Sequence, residues 1–101
     1  MILYHMKRDD VLNTLKHNKF LVEQYGIKSL YLFGSTARDE ARPDSDVDLL
    51  AEFNRPLGLF EFIELQQKLE SILGCKVDLG TKRSLKNHIK EDVLQEAILV
   101  T

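Results

Sequence analysis

The chain has 101 residues and a mass of 11.7 kDa, which is room for one compact domain over residues 1–101 and none for a second. A formal net charge of -2 and a sequence pI of about 5.9 exclude the basic excess of a protein that coats nucleic acid, so no direct nucleic-acid binding is expected; a nucleotide whose phosphates are neutralised by metal ions stays open as a ligand. No apolar run approaches the ~20 residues of a membrane span, Met1 to Met6 lacks the basic and then apolar segments of a secretory leader, and a cytoplasmic protein is expected.

From about Asp9 to Tyr25, apolar residues at Val11, Leu12, Leu15, Leu21, Val22 and Tyr25 form a helical stripe with a polar interruption. Gly26 follows where a helix end wants left-handed backbone. Ile27 to Phe33 reads as a strand ending at Gly34, and a short helix opens at Ser35 or Thr36 and stops before Pro43, because the residue ahead of a proline disfavours helical geometry. Pro43, Asp44 and Ser45 are turn residues, and Asp46 to Phe53 is a second apolar strand interrupted by acids.

Leu59, Phe62, Ile63, Leu65, Leu69, Ile72 and Leu73 make the strongest helical stripe, ending at Gly74. The stripe is most simply core, and its excess apolar area is also suited to an interface. Cys75 to Leu79 reads as a third strand, Gly80 to Ser84 as a loop, and about Leu85 to Ala97 as a final helix capped by Ser84. The order helix, strand, short helix, strand, helix, strand, helix predicts a small α/β (α+β) domain, with helices covering a sheet of three strands or slightly more.

The chemistry-bearing residues collect at the strand ends. Side chains i and i+2 of a strand share a face, so Asp46 and Asp48 can aim both carboxylates at one pocket while Val47 and Leu49 turn away. Hard cations such as Mg²⁺ take carboxylate and phosphate oxygens, and two ions can clamp the attacking and leaving oxygens of an in-line displacement. Asp78, an acid between Val77 and Leu79, can join the same metals or accept the proton of an attacking hydroxyl, depending on the sheet order. Gly34 lets the backbone approach a phosphate, the Ser35 hydroxyl can add a hydrogen bond, and Arg38 can bind phosphate or hold one of the aspartates. Singly these are turn residues, caps and surface pairs. The acid at Asp48, inside an apolar strand, is costly to bury without a partner or a metal.

Gly34-Ser35-Thr36-Ala37-Arg38, then Ser45-Asp46-Val47-Asp48-Leu49-Leu50, then Val77-Asp78-Leu79, resembles the minimal nucleotidyltransferases of the DNA polymerase β-like superfamily, over nearly the whole chain. The resemblance implies a polymerase β-like palm core and Mg²⁺-dependent transfer of a nucleoside monophosphate from an NTP, with ATP the expected substrate. It implies that Gly34 and Ser35 hold the triphosphate and that Asp46, Asp48 and Asp78 bind the metals. It further implies the antitoxin half of a pair with a small all-helical HEPN protein, the toxin, to which the transferase adds AMP on a tyrosine. One departure is Asp39, followed by Glu40, where the family usually has Gly after the Arg. Asp tolerates left-handed backbone better than most residues, but the two extra acids weigh against ATP binding.

Two alternatives stand beside the protein AMP transferase. One is an antitoxin that neutralises its helical partner by contact alone; the other is a transferase for a small hydroxyl compound such as an aminoglycoside. The chain lacks a second domain to grip the base, so a partner or another copy of itself is expected to complete the pocket. Lys82, Arg83, Lys86 and Lys90 form a basic cluster best read as a solvated face. The single Cys75 reads as an inert thiol, and His5, His17 and His88 lack metal-ligand spacing.

Overall fold

The computed structural model describes residues 7–38, 46–81 and 97–101, with only the backbone of Ser35 and Thr36. The elements in chain order are α1 (Arg8–His17), α2 (Phe20–Tyr25), β1 (Ile27–Phe33), α3 (Gly34–Ala37), β2 (Val47–Phe53), α4 (Leu59–Leu73), β3 (Val77–Thr81) and β4 (Ile98–Leu99). They form the expected α+β domain, its sheet ordered β3-β2-β1-β4. The sheet is mixed: β1 is antiparallel to β2 and β4, and β2 runs parallel to β3, which the chain reaches through α4.

The main core cluster occupies one face of this sheet, and Leu50, equally buried, turns to the other. Leu32 lies opposite Leu49, and Leu49 opposite Leu79, so these residues of three adjacent strands share a side. They join Val11, Leu15, Leu21 and Tyr25 of the first two helices and Leu65, Leu69 and Leu73 of α4 in one buried cluster. A register shift between Ile27 and Ser29 reverses the alternation once, which is how both Ile27 and Leu30 reach the core.

Three local features depart from the expected pattern. The first helical stripe is two helices, because Asn18 leaves helical geometry at φ -113°, ψ 41° and its side-chain amide donates to the Thr14 carbonyl, 2.7 Å away. Gly80 and Thr81 belong to β3 rather than to a loop: pairing with Leu50 and Ala51 in the parallel ladder outweighs the low strand propensity of glycine. The stretch after Ala97 is β4, whose Leu99 and Ile98 pair with Tyr31 and Leu32. The rest of the expected final helix, with Lys82, Arg83, Lys86 and Lys90, lies outside the described residues. Gly26 (φ 64°) and Gly74 (φ 69°) end α2 and α4 in left-handed geometry, as their positions predict.

Candidate functional site

Three strand ends build the candidate site. β1 delivers its last residue, Phe33, opposite Asp48, and Gly34 follows as the first residue of α3. β2 starts at Val47, so Asp46 immediately precedes it and Asp48 is its second residue. Because β3 runs parallel to β2 with Val47 paired to Val77, Asp78 falls directly opposite Asp48. The side-chain period of two puts Asp46, Asp48 and Asp78 on the sheet face away from the core, while Val47, Leu49, Val77 and Leu79 are buried on the other.

Asp46 and Asp78 are exposed and Asp48 is half-buried between them. Burial pushes the Asp48 carboxyl above the ordinary aspartate range, the charges of Asp78 and Asp46 push it further, and Arg38 pulls it partly back. The four charged groups therefore share one electrostatic neighbourhood. Cys75 lies at its margin, where burial, Asp46 and Glu70 raise the thiol and keep it protonated and unreactive.

Gly34 is required by geometry. Its φ is 75°, in the region that favours glycine, and a Cβ built there would overlap Asp48 Oδ2 and stand 3.2 Å from Asp48 Cγ. The missing side chain is what lets the β1–α3 turn pass over the half-buried carboxylate. The backbone of α3 closes with the Arg38 amide donating to the Gly34 carbonyl at 3.2 Å. The Ser35 hydroxyl and Asp39 lie outside the described residues.

Among the described residues, no three His, Cys, Asp or Glu side chains stand close enough together to enclose a metal ion. The carboxylates gather at electrostatic range. Their chemistry suits a hard divalent cation nonetheless: three carboxylates on one face, the central one held at a raised pKa by burial first and by its like-charged neighbours second. Two residues absent from the sequence reading, Gln66 and Glu70, bond the backbone of Val77 next to Asp78. Their four-residue spacing on α4 was the available signal, but it pointed to no target without the neighbouring strand.

A sequence profile of the nucleotidyltransferase domain matches residues 15–100. The protein adenylyltransferase MntA of Thermococcus cleftensis is 46% identical over 84 residues, covering 83% of this chain and 85% of that protein. Among solved structures, one provisionally described as a minimal nucleotidyltransferase superposes with a TM-score of 0.79 at 38% identity, covering 93% of this chain and 96% of the other. A crystal structure of a toxin–antitoxin with AMP-PNP matches with a TM-score of 0.72 at 28% identity, covering 88% of this chain and 73% of that one.

Proposed function

Starting from the fact that the chain belongs to the nucleotidyltransferase domain family and is a nucleotidyltransferase, we propose that it moves AMP from ATP to a hydroxyl of a partner protein, as the antitoxin of a pair with a small helical HEPN toxin. The observation that carries this reading is the register that sets Asp48 opposite Asp78, two residues after Asp46 and under the side-chain-free Gly34. The protein acceptor is supported by the name of the Thermococcus relative, and ATP and the toxin by the toxin–antitoxin structure that contains AMP-PNP.

In this reading Asp46, Asp48 and Asp78 hold Mg²⁺, expected as two ions. The metal supplies neutralisation of the triphosphate and Lewis-acid stabilisation of the charge that develops on its oxygens. Gly34 and Ser35 hold the triphosphate at the turn after β1, and Arg38 pairs with a phosphate or steadies the carboxylates. The acceptor oxygen forms a bond to the α-phosphorus, the bond from that phosphorus to the bridging oxygen of the β-phosphate breaks, and pyrophosphate leaves. Asp78 is the candidate for taking the hydroxyl proton. The protein works in the cytoplasm, and a partner or second copy completes the base pocket.

The test is the intact mass of the protein that co-purifies with this chain, before and after incubation with ATP and Mg²⁺, for wild type and Asp48→Asn. Mass gained in whole AMP units by wild type alone supports the transfer and identifies the acceptor. A stable complex without any gain favours the antitoxin that acts by contact, a reading suggested by the acids at Asp39 and Glu40; Asp39→Gly is then the variant to make. Labelling of an aminoglycoside in place of any protein would point to the small-molecule transferase.

A further inference from the structure

We propose that Gln66 and Glu70 are positioning residues for Asp78, acting through the peptide groups of Val77; this rests on the metal-binding reading of the carboxylates. β3 is an edge strand of the sheet formed by the described residues. Its ladder to β2 runs through the neighbours of Val77, with the Val47 amide donating to the Lys76 carbonyl at 2.9 Å. In a parallel pair, alternate residues turn their backbone groups towards the partner strand, so those of Val77 face outward from β2.

Both outward groups are taken by α4. Gln66 Nε2 donates to the Val77 carbonyl at 3.1 Å, and the Val77 amide donates to Glu70 Oε2 at 3.1 Å. Gln66 and Glu70 lie one helical turn apart, so a single face of α4 stands in for a further strand at one residue. That residue directly precedes Asp78, whose charge opposes the Asp48 carboxylate across the strand pair. Mutual repulsion of the acids favours displacement of the edge strand, the less restrained partner. A two-point clamp on the adjacent peptide groups resists it and keeps Asp78 in register with Asp48.

The clamp makes a prediction that bulk electrostatics does not. Glu70 is itself an acid near the cluster, so a purely charge-based role would be lost equally in Glu70→Ala and Glu70→Gln. A positioning role survives in Glu70→Gln, because the amide oxygen still accepts from the Val77 amide. Mn²⁺ affinity, measured by electron paramagnetic resonance in the presence of ATP, is expected to fall about tenfold in Glu70→Ala and in Gln66→Ala, a loss of ~1.4 kcal/mol in binding. It is expected to stay within about twofold of wild type in Glu70→Gln.

Equal weakening by Glu70→Ala and Glu70→Gln, or wild-type affinity in both alanine variants, would overturn the proposal. Asp48→Asn and Asp78→Asn are measured alongside. Wild-type Mn²⁺ affinity in those two removes the underlying metal reading, whereas loss in them with no effect at Gln66 and Glu70 removes only the clamp. Amide hydrogen exchange of the unmodified protein gives a readout that survives any folding defect in the variants. The Val77 amide should exchange slowly, like the ladder amides of β2, and rapid exchange there would equally refute the clamp.

Discussion

Asp48 and Asp78 face each other across the parallel pair β2–β3, residue for residue, so the charge of one is felt by the other. Removing the charge at Asp78 should therefore bring the Asp48 carboxyl down towards the ordinary aspartate value. Titration of Asp48 Cγ by NMR in Asp78→Asn checks the direction. An unmoved midpoint would mean that burial and the other neighbouring charges set it without Asp78.

The raised Asp48 value has a stability consequence with a definite sign. A carboxyl whose folded pKa exceeds its unfolded one binds its proton more tightly in the native state. Its contribution to stability is then complete below the unfolded pKa and is lost as pH rises through the folded pKa. Without divalent metal, Asp48→Asn should melt higher than wild type at pH 7, and the gap should close as pH falls below the ordinary aspartate range. Thermal melts from pH 3 to 8 read this directly; a gap that widens on acidification would contradict the assigned shift.

Gly34→Ala meets two penalties at once. Left-handed backbone costs an L-residue about 1–2 kcal/mol, and the new methyl group displaces the Asp48 carboxylate. The expected outcome is at least a tenfold loss of AMP transfer, since about 1.4 kcal/mol of barrier is one decade of rate. Intact-mass time courses and a melting curve separate the loss of activity from the loss of fold.

Leu65 has no solvent exposure and joins α4 to the core face of the sheet. Truncation to alanine should cost about 2–5 kcal/mol, which for a domain of this size lowers Tm by roughly 10 °C or more. Urea unfolding of Leu65→Ala checks the magnitude. A cost below about 1 kcal/mol would show that the α4–sheet contact can collapse around the cavity.

Near the middle of α4, Tyr25 donates to Glu64 Oε1 at 2.9 Å while Lys68 lies 5.3 Å from the centre of its ring. Tyr25→Phe removes the hydrogen bond but keeps the packing, so about 0.5–1.5 kcal/mol should be lost. Because this contact belongs to the core face and the carboxylates to the other, AMP transfer should be unchanged. A large activity loss there would couple the two faces of the sheet.

Much of the fold is local and was therefore legible. Ile27 to Phe33 is apolar enough to be a strand wherever it packs, and Leu59 to Leu73 carries a helical stripe that ends at a glycine. Asn18 split the first helix through a hydrogen bond to its own preceding turn, a competition that a hydrophobic pattern does not register. The short β4 was hidden because Ile98 and Leu99 are strand residues only by virtue of pairing with Leu32 and Tyr31, far away in sequence.

The site divides along the same line. Alternation along a strand, with its period of two, already separates Asp46 and Asp48 from Val47 and Leu49, so the sequence by itself determined that these two acids share a face. Nothing local relates residue 48 to residue 78 or residue 34. Strand order, parallel direction and register are settled only when α4 packs and the ladder closes, because each depends on contacts between distant segments. The tertiary structure alone decided that Asp78 stands opposite Asp48, that Gly34 must lack a side chain for the carboxylate beneath it, and that Gln66 and Glu70 reach the backbone beside Asp78.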